Sequence, residues 1–130
     1  MSNMHPLVVT SVAILGLLLF GLGLAVTVVR GRTQVLTGTA SDPDHLLNRL
    51  IRAHGNTAEY APFLAVLFLF LGSHQPGGLT LGLIAVATAA RVLLAVGLIT
   101  SLSRLNALRA IGATLTYVTG LWLSILFLLA

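Results

Sequence analysis

Long apolar stretches separated by short polar segments dominate this sequence. The first stretch carries no charged residue over 23 positions, which makes an α-helix about 35 Å long, enough to cross a bilayer core of about 30 Å. The third is interrupted only by Arg91. The pattern predicts an all-α integral membrane protein, a bundle of four transmembrane helices in a single domain (residues 1–130), with spans at about 7–29, 44–71, 79–99 and 107–129.

Local signals predict where these helices begin and how they pack. Asp42 or Asp44 is placed to cap the second helix, and Asn106 to cap the fourth. Within the fourth helix, Gly112, Thr116 and Gly120 form a stripe of small residues suited to close helix contact. We interpret this stripe as a packing feature.

Composition supports a membrane protein and narrows its chemistry. Hydrophobic residues make up 57% and charged residues 8% of the chain, far from the roughly 25% charged residues of soluble domains. The seven basic residues are all arginines at the ends of apolar segments or inside them, a placement that argues against nucleic-acid binding. There is no cysteine, and the four histidines are dispersed, so we expect no disulfide, thiol nucleophile or metal site.

The distribution of arginine predicts an orientation. Six arginines cluster at the first and third loops, whereas the second loop and both termini have none. Because cytoplasmic loops are enriched in basic residues, both termini should face away from the cytoplasm. The segment Met1 to Pro6 lacks a basic region, and the apolar run behind it is long for a signal peptide, so we expect a retained first helix. The clustered residues are Arg30, Arg32, Arg49, Arg52, Arg104 and Arg109.

One face of the second helix carries an unusual number of polar residues. Five of them fall within an arc of about 80° on a helical projection, while His54 lies off that face. A solvated amphipathic face explains His45 and Arg49, which lie nearest the loop, as well as a binding site does. It explains Asn56 and Glu59 less well. The five are His45, Arg49, Arg52, Asn56 and Glu59.

Glu59 and Arg91 should lie at similar depth in the membrane. Each is twelve residues from the second loop, about 18 Å along its helix. A lone charge at that depth is costly, so the sequence predicts a Glu59–Arg91 ion pair. Arginine still outnumbers acid on the cytoplasmic side, which indicates an anionic ligand.

The second-helix sequence RAHGNTAEYAP, from Arg52 to Pro62, resembles the signature of the MAPEG family, membrane-associated proteins in eicosanoid and glutathione metabolism. The order of four helices is similar too, and Arg91, Arg104 and Arg109 stand where members of the family carry arginines. The resemblance covers essentially the whole chain and is that of a bacterial-type member. It implies an integral, multi-pass protein of a bacterial inner membrane that assembles as a homotrimer in contact with lipid.

The resemblance also implies an activity and a site. Glutathione, as co-substrate, would bind between subunits and react with lipophilic electrophiles or hydroperoxides in a transferase or peroxidase reaction that needs no metal. Arg52, Asn56 and Glu59 would hold the tripeptide and Arg109 would stabilise its thiolate. Weaker assignments to the same site are Arg30, Arg32, Arg49 and His54.

Three positions depart from the family pattern and keep other functions open. Leu94 and Leu98 stand where well-studied members have Tyr or His, and Ala110 where some have Ser. A noncatalytic structural or interaction protein of the same fold is therefore one alternative. A small proton-coupled multidrug exporter built around Glu59 is another, although several nearby arginines would repel a cationic substrate.

Overall fold

The computed structural model describes residues 4–130 and is entirely helical in its regular structure. All four helices are long and apolar enough to cross a membrane, which confirms the predicted all-α, four-helix architecture. Residues 1–3, on which the interpretation of the N-terminal segment partly rests, lie outside the described part of the chain. The helices are α1 (Pro6–Thr33), α2 (Leu46–Ser73), α3 (Gly78–Thr100) and α4 (Ala107–Leu129).

The caps of α2 and α4 test the predicted helix starts. Asn106 caps α4 as predicted, with its Oδ1 accepting from the Arg109 backbone N–H at 2.9 Å. The prediction that Asp42 or Asp44 caps α2 is wrong, because His45 takes that role and its Nδ1 accepts from the Leu47 N–H at 3.0 Å. The Asp44 carboxylate instead accepts from the Leu102 N–H, so it joins the first loop to the third.

The bundle core lies between α2 and α3, with α1 packed along one side and α4 along the other. Toward the second loop, Phe68, Ile84 and Leu123 are buried together. Toward the first and third loops, Leu50 and Leu98 are buried with Leu22 of α1. Most of the apolar surface of α1 and α4 faces outward, as expected for helices surrounded by acyl chains.

Glycine allows α3 and α4 to approach closely. A Cβ atom on Gly112 would lie 2.6 Å from the Leu94 backbone nitrogen, and one on Gly97 would lie 2.6 Å from that of Arg109. Gly120, in contrast, would meet only a Leu64 methyl group at 3.9 Å. The predicted small-residue stripe therefore serves close packing at Gly112 but not at Gly120.

Candidate functional site

The polar face of α2 is present and carries an ion pair within a membrane-spanning helix. Arg52 and Glu59, two helical turns apart, pair through Nη1 and Oε1 at 3.2 Å. Both side chains stay about half exposed, at 49% and 52%. A positive and a negative group are thus presented side by side on the outer surface of the bundle.

Arg91 is fully buried and bonds to Asn56 rather than to Glu59. Its Nη2 donates to the Asn56 backbone carbonyl at 3.0 Å and to the Asn56 side-chain Oδ1 at 2.5 Å. Its guanidinium carbon also lies 5.1 Å from the centre of the Tyr60 ring. The Arg91 Nε and Nη1 atoms are buried and bond to no described residue.

The predicted Glu59–Arg91 ion pair is therefore replaced by Arg52–Glu59 and Asn56–Arg91 contacts. Counting residues from the loop correctly places Glu59 and Arg91 at similar depth but says nothing about rotation. Asn56 and Tyr60, four residues apart, share the face that α2 turns toward Arg91, while Glu59 lies about 60° from Asn56 around the helix.

Two tyrosines complete this polar group, and the sequence interpretation gave them no role. The Tyr60 and Tyr117 hydroxyls lie 3.3 Å apart, and the two rings pack edge to face with centroids 5.9 Å apart. The spacing of Tyr60 four residues after Asn56 could have revealed it as a neighbour on the same helical face. Tyr117 lies on another helix, so no local sequence signal links the two.

Arg49 and His54 are engaged in packing within the bundle. The Arg49 Nη1 donates to the carbonyls of Ile99 and Thr100, at 2.7 and 3.0 Å, and so satisfies the C-terminal end of α3. His54 faces α1, where a Cβ atom on Gly23 would lie 3.2 Å from its Nε2. Neither belongs to the Arg52–Glu59 pair.

Further arginines lie near the helix ends adjoining the first and third loops. Arg109, in the first turn of α4, donates from Nη1 to the Leu102 carbonyl at 3.0 Å. Arg30 donates to the Val35 carbonyl at 3.0 Å, and Arg32 is exposed. Within the described chain no hydrogen bond joins Arg109, Arg30 or Arg32 to the Arg52–Glu59 pair.

The positions that depart from the family pattern are partly core positions. Leu94 and Leu98 are buried beside Leu50 and Ala53 and fill the bundle next to the polar face. Ala110 is half-buried on α4. These three residues leave the site without an additional hydroxyl or imidazole.

A crevice between α2 and α4 opens beside the ion pair. Its volume is about 380 Å³, and Glu59, Tyr60 and Tyr117 line it together with apolar residues such as Phe63 and Leu121. No group of three or more His, Asp or Glu side chains able to hold a metal ion occurs within residues 4–130. The chemistry available here is that of charge pairing and hydrogen bonding next to an apolar cavity.

Comparison with known protein families shows to which family the chain is similar. The model of the MAPEG family matches residues 8–129, nearly the whole chain. The chain belongs to the MAPEG family. It is thus an integral, multi-pass membrane protein of a family associated with glutathione and eicosanoid metabolism. No curated protein and no solved structure matches this MAPEG protein.

Proposed function

We propose that this MAPEG protein is a glutathione-dependent transferase or peroxidase acting on lipophilic electrophiles or hydroperoxides. In the transferase reaction, the thiolate forms a carbon–sulfur bond to the electrophile while a bond from that carbon breaks: a leaving group departs as an anion, or an epoxide carbon–oxygen bond opens and the alkoxide takes up a proton. In the peroxidase reaction, it attacks a hydroperoxide oxygen, the O–O bond breaks, and the alkoxide takes up a proton. A second glutathione then converts the resulting sulfenic acid to the disulfide and water.

The observation that carries the proposal is the half-exposed Arg52–Glu59 pair on a membrane-spanning helix. Glutathione has a carboxylate and an ammonium group on one carbon at its γ-glutamyl end. Arg52 matches the carboxylate and Glu59 the ammonium, with charge-assisted hydrogen bonds in both directions. The two protein charges already lie 3.2 Å apart, so little reorganisation is needed to receive this end of the peptide.

Asn56 supports the same assignment. Its carbonyl and Oδ1 atoms accept from Arg91, which fixes the direction of the side-chain amide. The Asn56 Nδ2 donates to no described residue. Its N–H groups remain available for a peptide carbonyl of the ligand.

Arg109 is the residue we assign to the thiolate, with Arg30 or Arg32 assisting. A guanidinium beside the sulfur favours the thiolate, which is the reactive nucleophile. Arg109 commits Nη1 to the Leu102 carbonyl and keeps the rest of its fork for a ligand. Arg49 and His54 are weaker candidates because both are engaged within the subunit.

The assembly we propose is a homotrimer with the ligand between neighbouring copies. Arg52 and Glu59 are half exposed on a span, and charged groups do not face acyl chains without a large cost. A second copy covering this face would remove that exposure and enclose the ligand. In the proposed orientation, in a bacterial inner membrane, the site opens toward the cytoplasm and both termini lie on the other side.

The exporter alternative is disfavoured by the ion pair. Proton-coupled export of a cation needs a carboxylate that exchanges freely between proton and substrate. Glu59 is paired with Arg52, and Arg91 of α3 contacts the neighbouring face of α2 through Asn56. A noncatalytic member of the family would retain this fold without turnover, and an activity assay separates the two.

A thermal-stability experiment tests the glutathione site. The purified protein in mild detergent is heated with increasing glutathione or with ophthalmic acid, an analogue that lacks the thiol. A ligand that binds only the folded protein raises the midpoint, by about 1.4 kcal/mol of stabilisation at ten times its dissociation constant. We expect both peptides to stabilise the protein and only glutathione to support conjugation of a lipophilic electrophile.

Three variants make the test specific. Glu59→Gln and Arg52→Ala should lose the stabilisation, whereas Arg104→Ala, which removes an exposed arginine outside the pair, should keep it. Native mass spectrometry of the same samples should give three copies per particle. The proposal fails if millimolar glutathione leaves the wild-type midpoint unchanged, and binding without turnover of any electrophile or hydroperoxide would favour the noncatalytic alternative.

A further inference from the structure

The crevice between α2 and α4 has the size and lining of a small-molecule site. Its volume of about 380 Å³ falls within the range of ligand cavities, which begins near 300 Å³. Phe63, Leu64 and Leu67 line it from α2, and Gly120 and Leu121 from α4. Polar groups are few in this lining, so the position of each one and the hydrogen bonds it already makes limit which ligands can bind.

The tyrosine pair holds a hydroxyl proton that is free for a ligand. Two hydroxyls carry two protons, and the 3.3 Å contact between Tyr60 and Tyr117 uses one of them. Two further hydroxyls of the lining are already satisfied, because Thr116 donates to the Gly112 carbonyl and Ser124 to the Gly120 carbonyl. The second tyrosine proton has no acceptor among the described residues.

Arg91 determines which tyrosine offers that proton. Its guanidinium lies 5.1 Å from the Tyr60 ring centre, on the side of α2 that faces α3. A cation against the ring withdraws electron density from the phenol and strengthens the Tyr60 hydroxyl as a donor. Tyr60 then donates to Tyr117, and the polarised Tyr117 hydroxyl becomes the stronger donor to a third group.

We propose that the α2–α4 crevice binds a lipophilic molecule bearing an oxygen acceptor, and that the Tyr117 hydroxyl donates to this oxygen. Carbonyl, ester, epoxide and hydroperoxide oxygens qualify, whereas a plain hydrocarbon does not. A lone cationic amine is a poor ligand because Glu59, the acidic side chain in the lining, is paired with Arg52, and such an amine brings no carboxylate to pair with Arg52 in its place.

The identity of this ligand as the second substrate rests on the proposed glutathione function. Glu59 belongs to the polar face of α2 and to the crevice wall, so the two sites are continuous. A molecule held by Tyr117 would extend from the apolar crevice toward the position assigned to glutathione. Tyr117 would then act as a residue that selects substrates by their oxygen and sets their depth.

Photolabelling without glutathione tests the crevice directly. The purified protein in detergent is irradiated with methyl hexadecanoate that carries a diazirine in its chain, and labelled peptides are mapped by mass spectrometry. We expect label within residues 59–67 and 116–124. Unlabelled methyl hexadecanoate should compete about threefold to tenfold better than heptadecane, which lacks an acceptor, as expected for one hydrogen bond.

Three variants connect the binding to the named residues. Tyr117→Phe keeps the ring and removes the hydroxyl, so the ester should compete no better than the hydrocarbon. Gly120→Leu should fill the crevice and abolish labelling, because only a Leu64 methyl lies within 4 Å of the new Cβ. Gly82→Leu, on an open face of α3, is the matched control and should label as the wild type does.

The outcomes separate this inference from the proposed function. Label spread evenly over all four helices, equal competition by ester and hydrocarbon, or an unchanged Tyr117→Phe variant would overturn the crevice inference. So would absence of label because a neighbouring copy fills the crevice. If labelling behaves as expected but glutathione gives no thermal shift, the proposed glutathione function fails. The inference that the α2–α4 crevice binds lipophilic molecules with an oxygen acceptor then still stands.

Discussion

At the scale of single residues, the main feature is a buried guanidinium with a neutral partner. Arg91 is completely inaccessible, and its Nη2 bonds to the backbone and side chain of Asn56. Burying a charge is costly, and hydrogen bonds to it become correspondingly valuable. Asn56 thus stabilises Arg91 through its two oxygens, while its amide N–H groups donate to no described residue.

This contact predicts a nonadditive pair of substitutions. Asn56→Leu removes the side-chain acceptor of a buried cation and should destabilise the protein by about 2–3 kcal/mol. Combining it with Arg91→Met removes the charge as well and should restore at least half of that loss. Unfolding by SDS in mixed micelles, followed by circular dichroism, measures the stability of the single and the double variant. A double variant less stable than Asn56→Leu alone would contradict this account of the pair.

At the scale of helices, the closest contact lies between α3 and α4. In a membrane the hydrophobic effect does not drive helices together, so close packing of small residues contributes more. Gly97 of α3 packs against the backbone of α4, and Gly112 of α4 packs against the backbone of α3. Tyr117, nearly three turns beyond the start of α4, follows this contact along the helix and meets Tyr60 of α2.

A comparison of two glycines of the same helix tests this packing. A methyl group on Gly112 would lie 2.6 Å from the Leu94 nitrogen and 2.8 Å from the Ala90 carbonyl oxygen, and neither backbone atom can move independently. Gly112→Ala should therefore cost about 1–3 kcal/mol and lower the unfolding midpoint. Gly120→Ala has ordinary space and should be neutral or stabilising, since alanine is the better helix former. Similar losses in both variants would argue against a specific close contact at Gly112.

At the scale of the whole molecule, charge is concentrated at one end of the bundle. Six of the seven arginines lie near the first and third loops, and Arg49 and Asp44 join these loops by bonds to Ile99, Thr100 and Leu102. The opposite end has no arginine. This asymmetry should orient the protein during insertion and place the proposed glutathione site near the cytoplasm, where glutathione is made.

Cysteine labelling tests the orientation with no background, because the chain contains no cysteine. Gln75→Cys reports on the second loop and Thr37→Cys on the first, and both positions are exposed. A membrane-impermeant maleimide added to intact cells should label Gln75→Cys only, and permeabilised cells should label both. Labelling of Thr37→Cys in intact cells would show that the protein has the opposite orientation to the one predicted.

The number and type of the helices, their approximate limits and the concentration of polar residues on one face of α2 follow from the sequence alone. These features depend on local properties that can be read from neighbouring positions in the sequence. The properties are the length of each apolar stretch relative to the bilayer thickness, the capping residues and the helical periodicity. The partners of the buried charges are not local. Glu59 pairs with Arg52, Arg91 with Asn56, and Tyr60 with Tyr117, because the rotation of α2 against α3 and α4 decides which side chains meet. That rotation is set by many packing contacts at once, including the close approach at Gly97 and Gly112, and only the tertiary structure contains it.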